Sequence, residues 1–328
     1  MQNAFKKIAI AAGIASMAVA SLTGCAAAEP INHEITVVTH DSAVFDETLL
    51  AKFTKETGIK VTQVKAGDAG AMTNKLVLTK DAPIGDLFYG IDNTFASVAD
   101  ENEIVDGRMT AIDFGDVCFN YDKTWFSAHE QAAPTSISDL TKPEFKGLTV
   151  VTNPATSSPG MAFLAATVSV FGNSGYQQYW RALAANDVKV AAGWEDAYFT
   201  DFSGSSGAGD YPIVLSYSSS PAFEVRDNGE SQTESIMDGC FRQTEYAGVL
   251  ANAKNPSDAA KFIEFLTSTE FQATLPDTMY VYPAVDSVAL PEAWSTWAPA
   301  ATAPVGGELD IAANRKTWLE NWSAILGE

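Results

Sequence analysis

Two hydrophobic periods alternate along this chain. Residues 34–39 form a short β-rich run, and over residues 46–56 Leu49, Leu50 and Phe53 share one helical face, with Gly58 as the stop. Val61 and Val64 mark a second strand, and residues 69–80 predict a second helix. Residues 84–91 are almost continuously apolar, which suits a strand buried on both faces of a parallel sheet. Residues 94–105 predict a third helix. A second series starts near Val117: a strand at 148–152, a loop at 153–159, helices at 160–171 and 176–185, and a strand at 211–217. Helices close the chain at 256–268 and 310–325. Strand and helix alternate without an internal repeat, the pattern of an α/β fold. Two α/β lobes crossed more than once by the chain fit this layout better than two beads on a string.

Length and charge narrow the partners. The 328 residues, 46% of them hydrophobic, suffice for one large domain or two lobes. Against 41 Asp and Glu stand only 20 Lys and Arg, a formal net charge of -21. A nucleic-acid binder collects Lys and Arg on one face, so nucleic acid is excluded as a partner, and anionic membrane surfaces are disfavoured for the same reason.

The amino terminus reads as an export signal. Lys6 and Lys7 precede an apolar run over residues 8–20, too short for a comfortable membrane span. The run closes on Leu22-Thr23-Gly24-Cys25, which resembles a bacterial lipobox. That resemblance implies cleavage before Cys25, a lipid on its thiol, and a tether over residues 25–33. The mature chain then carries 18 basic against 41 acidic side chains, a charge of -23. Export puts Cys118 and Cys240 in an oxidising compartment. Both lie in strand-like runs, and they are read either as a disulfide or as two buried free thiols. Zinc needs more Cys and His ligands than cluster anywhere here, so no metal is expected.

Open α/β sheets place ligands beyond the carboxyl ends of their strands, which singles out three kinds of loop. His40-Asp41-Ser42 follows the first strand, and Asp92-Asn93 ends the apolar one. The first reads better as a helix N-cap at Asp41 or Ser42, and Asp92 or Asn93 could merely cap the next helix, yet acids at two strand ends would give a cation two places to bind. Thr156-Ser157-Ser158-Pro159-Gly160 and Ser218-Ser219-Ser220-Pro221 offer hydroxyls and free N–H groups at helix starts; both are also plain helix-start signals. Neither continues into a P-loop lysine. Trp194 and Tyr198 stand at i,i+4, Tyr280 and Tyr282 share a face of an extended run, and Trp318 with Trp322 reads as core. Aromatic faces beside acids are what a flat cation requires. No Ser-His-Asp or Cys-His motif is visible, so the chain is not expected to be an enzyme, and no cofactor is implied.

Several segments taken together resemble the thiamine-binding substrate-binding proteins of bacterial thiamine import systems. They include Ile35-Thr36-Val37-Val38-Thr39-His40-Asp41-Ser42, Gly85-Asp86-Leu87-Phe88-Tyr89-Gly90-Ile91-Asp92-Asn93 and Asn153-Pro154-Ala155-Thr156-Ser157-Ser158-Pro159-Gly160. Others are Gly193-Trp194-Glu195-Asp196-Ala197-Tyr198, Val214-Leu215-Ser216-Tyr217-Ser218-Ser219-Ser220-Pro221 and Tyr280-Val281-Tyr282-Pro283. The matches fall in family order and span nearly the whole mature chain.

The resemblance implies a type II periplasmic-binding fold: two lobes, a hinge and a ligand cleft. The lobes would be 34–115 with 247–328, and 116–246. Trp194, Tyr217 and Tyr280 would cage the thiamine rings, with Tyr198, Tyr282, His40, Asp41 and Ser42 around them. Asp92, beside Asn93, would hold the cationic edge. Ser158 and its neighbours Ser157, Pro159 and Gly160, with Ser220 opposite, would hold the hydroxyethyl arm or its phosphate. Two positions depart from the family: His40 stands where it usually has Tyr, and Tyr280 where it usually has Trp. The expected protein is an exported, lipid-anchored monomer that delivers thiamine or a thiamine phosphate to an ABC permease driven by a partner ATPase. A ferric-iron binder is the alternative, but iron capture in this fold commonly uses adjacent tyrosines, and no Tyr-Tyr pair exists here. An anion binder would favour Arg, which is scarce, and an exported hydrolase lacks a nucleophile with its base.

Overall fold

A computed structural model describes residues 33–206 and 209–327. The export signal, Cys25 and the tether up to residue 32 lie outside the described residues. The first strand–helix series is β1 (His33–Thr39), α1 (Glu47–Thr57), β2 (Ile59–Lys65), α2 (Ala69–Leu78), β3 (Leu87–Asp92) and α3 (Ala96–Glu101). The long strand β4 (Thr110–Asp122) and α4 (Lys123–Ala128) lead to β5 (Thr149–Thr152), α5 (Ser158–Ala185), β6 (Lys189–Ala191), β7 (Ile213–Tyr217) and α6 (Ser220–Phe223). The chain returns along β8 (Thr233–Val249) to α7 (Pro256–Leu266), α8 (Thr269–Gln272), α9 (Leu275–Thr278), β9 (Tyr282–Pro283), α10 (Trp294–Trp297) and α11 (Ile311–Leu326).

Nine strands share one sheet in the order β2-β1-β3-β8-β4-β7-β5-β6, with β9 on β4. Two parallel trios, β2-β1-β3 and β7-β5-β6, flank an antiparallel pair, β8 and β4. β3 is buried along its whole length, as a doubly covered strand must be. The pair in the middle serves both trios. β8 ends against β3, from Asp92↔Glu245 to Leu87↔Val249, while β4 pairs with β7 from Val117↔Tyr217 to Tyr121↔Ile213. The lobe boundaries expected near 115 and 246 therefore fall inside long strands rather than in linkers. Their register shifts twice, at Ala111/Asp113 and Val117/Phe119, the bulges by which a strand bends.

Local chemistry explains several element ends. The Asp46 carboxylate accepts the Leu49 N–H and opens α1. α5 joins the two helices expected at 160–171 and 176–185, and its break is at Gly172, where φ of 71° and ψ of 171° leave the helical region. The third helix is shorter than expected: Glu103 turns the chain out at φ 53°, and Val105 bridges to Leu250 instead of continuing the helix. His33, placed in the tether by sequence, is the first residue of β1 and bonds the Asp258 carboxylate. α11, assigned to the first lobe by sequence, packs on α5 of the second. Trp322 meets Trp180 edge-on at 6.0 Å, and the Asn321 amide donates to the Tyr176 hydroxyl at 2.9 Å.

Candidate functional site

The carboxyl ends of both trios converge on one cleft of about 270 Å³, just below the range typical of small-molecule sites, about 300–1,000 Å³. Behind β1 stand His40, Asp41 and Ser42; behind β2 stand Lys65 and Asp68. The second trio contributes Ser158 and Pro159 at the start of α5, Trp194 and Tyr198 after β6, and Tyr217, Ser219 and Ser220 after β7. Glu245 of β8 and Tyr280 complete the wall. Ten of the residues expected from sequence are thus together: His40, Asp41, Ser42, Ser158, Pro159, Trp194, Tyr198, Tyr217, Ser220 and Tyr280.

The aromatic wall is held in place by contacts within the protein. Trp194 stacks on Tyr198 at 5.0 Å and 18°, as their i,i+4 spacing implied, and meets Tyr217 at 6.1 Å and 63°. The Trp194 indole N–H donates to Ser216 Oγ at 2.9 Å, and Ser216 shares a 2.8 Å hydrogen bond with Ser220. Tyr280 has φ 55°, a conformation rare for a bulky side chain. It is held there by the Ser219 hydroxyl, which donates to its carbonyl, and by stacking on Trp294 at 17°. Strain at a ligand wall of this kind is stored only where surrounding contacts over-determine it.

Five expected residues stand elsewhere. Asp92 is fully buried, and its carboxylate accepts from the Thr94 N–H and hydroxyl and the Phe95 N–H. Burial, with the Thr94 hydrogen bond opposing it, pushes its pKa up to about 7. The cap reading describes its contacts, and it does not line the cleft. Asn93 locks β3 to β8, donating to the Arg242 carbonyl and accepting the Thr244 N–H, both at 3.0 Å. Ser157 donates to Thr152 Oγ1 at 2.8 Å inside the start of α5. Gly160 is needed for packing, since a Cβ there would lie 2.4 Å from the Thr152 carbonyl oxygen. Tyr282 is buried behind the wall, stacked on Phe114 at 4.9 Å, with its hydroxyl donating to the Ala298 carbonyl at 2.8 Å.

Two carboxylates that sequence reasoning passed over are in the cleft. Asp68 follows β2, so the strand-end logic applied to His40 and Asp92 would have reached it. It accepts the Trp194 N–H at 2.8 Å and the Ser158 N–H at 3.2 Å. Burial raises its pKa against the pull of those donors. Glu245 lies 3.4 Å from His40 Nε2 and gave no sequence signal, being one polar residue in a half-buried strand. Burial and the Glu245 and Asp68 charges also lift the Tyr217 hydroxyl well above its usual pKa, so it stays a donor. Among the described residues, no group of three or more His, Cys, Asp or Glu is placed to hold a metal ion. Cys118 and Cys240, left open between bond and free thiols, are joined in a disulfide.

Comparison with known proteins places this cleft in a family. The thiamine-binding periplasmic protein of Salmonella typhimurium is 28% identical over 325 residues, covering 92% of this chain and 96% of that protein. A solved periplasmic thiamin binding protein superposes with a TM-score of 0.77 at 25% identity, over 90% of this chain and 96% of its own. More distantly, the Fe(3+)-binding periplasmic protein of Serratia marcescens is 27% identical over 257 residues, 68% of this chain and 70% of that protein. The family model for bacterial extracellular solute-binding proteins matches residues 86–302. With two parallel trios of the type II periplasmic-binding fold converging on one cleft, and with a match over most of its length, this chain belongs to the bacterial extracellular solute-binding proteins.

Proposed function

We propose that this chain captures thiamine, or a thiamine phosphate, outside the cytoplasm and delivers it to the permease of an ABC importer. The observation that carries the reading is the pairing of stacking faces with two sheltered carboxylates, Glu245 buried and Asp68 partly so. Trp194, Tyr217 and Tyr280 wall the same cleft into which Asp68 and Glu245 are set. Thiamine is flat and permanently cationic, and such a ligand gains both from ring faces and from desolvated negative charge. Lys65 is turned aside, its ammonium donating to the Asp41 carbonyl at 2.7 Å. Asp68 and Glu245 take the role that sequence reasoning gave to Asp92, while Ser158 and Ser220 remain the polar end.

Capture works by closure of lobes 34–115 with 247–328 against 116–246, α11 staying with the α5 on which it packs and the bulges of β4 and β8 forming the hinge. The register shifts at Ala111/Asp113 and Val117/Phe119 support this placement, and closure would commit the ligand and create the surface a permease reads. Calorimetry of the delipidated protein with thiamine, its monophosphate and its pyrophosphate tests the function. Saturable binding by at least one is expected, and none at high micromolar concentration sinks the reading. The protein acts as a monomer held to the membrane through lipid on Cys25, a reading supported by Lys6, Lys7 and the Leu22-Thr23-Gly24-Cys25 motif. In cells, Cys25→Ser should move the protein from the membrane fraction to the soluble one.

A further inference from the structure

His40 sits at the floor of the cleft in a slot shaped for it. Gly90 of β3 has φ 108°, and a Cβ there would lie 2.2 Å from His40 Cδ2, so the imidazole rests on bare backbone. Its Nε2 is buried and 3.4 Å from a Glu245 oxygen, near enough for an ion pair yet without a hydrogen-bond partner. Both side chains are largely shielded, at 13% and 8% exposure, and both line the cleft. Their attraction is therefore little screened.

The surroundings of the ring are nearly all acidic. Glu245 faces it from β8, Asp113 from β4 and Asp68 from the turn after β2; Asp41 follows it in its own loop. Tyr89 of β3 stands 5.9 Å away between ring centroids. Lys65, at the end of β2, is the nearby cation. Asp113 is bonded by the Tyr89 hydroxyl. Burial and the Glu245 charge push its pKa well up, and the carboxylate that comes within ion-pair distance of the His40 ring is that of Glu245. Burial alone would discharge the imidazole, but Glu245, then Asp68 and Asp113, outweigh it and raise its pKa to about 9.

We propose that His40 is the resident counter-ion of Glu245 and that a cationic ligand replaces it, selecting ligands by charge. In the ligand-free cleft the imidazolium balances the carboxylate. When a permanent cation enters, its charge takes over Glu245 and repels the imidazolium, which gives one proton to solvent and remains as neutral imidazole. No bond to the ligand forms. A neutral ligand of the same shape leaves the proton in place and gains nothing from the carboxylate. The inference rests on the cationic ligand proposed above and deepens it. Because the empty cleft holds one proton more than the filled one, affinity rises with pH until the free imidazole titrates, by up to about tenfold per pH unit.

Two measurements decide it. In the ligand-free protein, NMR titration should show the His40 ring deprotonating far above the ordinary histidine value, and Glu245→Gln should lower it toward that value. A His40 ring that titrates at the ordinary histidine value overturns the proposal. Calorimetry with thiamine at about pH 7.5, in buffers of different ionisation enthalpy, should show close to one proton released. The release should vanish in His40→Gln and with the neutral 3-deaza analogue of thiamine. Thiamine binding without proton release overturns this inference and leaves the thiamine reading standing. Failure of thiamine to bind at all removes both.

Discussion

Trp194 is positioned from three directions that owe nothing to a ligand. Its indole N–H is bound by Ser216, its backbone N–H by Asp68, and its face by Tyr198, whose hydroxyl donates in turn to Glu224 at 3.0 Å. A ring fixed in this way meets a flat ligand without further loss of side-chain freedom. Trp194→Ala should therefore weaken thiamine binding by about 1–3 kcal/mol, read by calorimetry, with the fold intact. Unchanged affinity would mean that the ring is core rather than wall. Trp194, Tyr217 and Tyr280 were legible because each lies in a compact motif with its own neighbours. Asp92 was misplaced for a physical reason. A strand-end acid two residues before Thr94 can serve a ligand or a cap, and only burial, complete here, separates the two.

At the scale of elements, the start of α2 is where the two trios touch across the cleft. The Ala71 N–H donates to the Thr156 carbonyl at 2.9 Å, and a Cβ on Gly70 would lie 2.7 Å from that same carbonyl oxygen. Asp68 closes the contact through Ser158 and Trp194, which are 90 and 126 residues away. Locally it caps α2, accepting the Ala69 N–H at 2.6 Å, and a cap is all that a local pattern reports. The bounds of α2 were accordingly readable to within two residues, while its role as a bridge was not. Asp68→Ala removes the acceptor of three backbone N–H groups, those of Ala69, Ser158 and Trp194, and each such loss where water cannot enter costs about 1–3 kcal/mol. The urea midpoint should fall accordingly, and Asp68→Asn, which keeps one acceptor oxygen, should fall less. A midpoint unmoved by Asp68→Ala would show that water replaces the carboxylate there, and that the bridge does not hold the trios together.

For the molecule as a whole, the sheet is continuous between the trios only through β4 and β8, and one covalent link ties that pair. The alternation of strands and helices announced two α/β series, but not that a 17-residue β8 would reach from one to the other. Its turn-like Asp238-Gly239 and its polar face disguise a strand that is broken by a bulge opposite Cys118. Cys118 and Cys240 close a loop of 122 residues, with Cα atoms 4.6 Å apart. Both are almost fully buried against Ala301. A link that spans so much chain restricts the unfolded state severely, and removing a native disulfide typically costs about 2–5 kcal/mol. Reduction should therefore lower the unfolding free energy by that amount, seen as an earlier denaturation midpoint. Thiamine should still bind to the reduced, folded protein, because neither cysteine lines the cleft. Native protein should take up no alkylating label at either position, and both thiols should label once it is unfolded and reduced. Labelling of Cys118 and Cys240 in unreduced, unfolded protein would establish two free thiols, and the stability of the β4–β8 pair would then rest on its hydrogen bonds and packing alone.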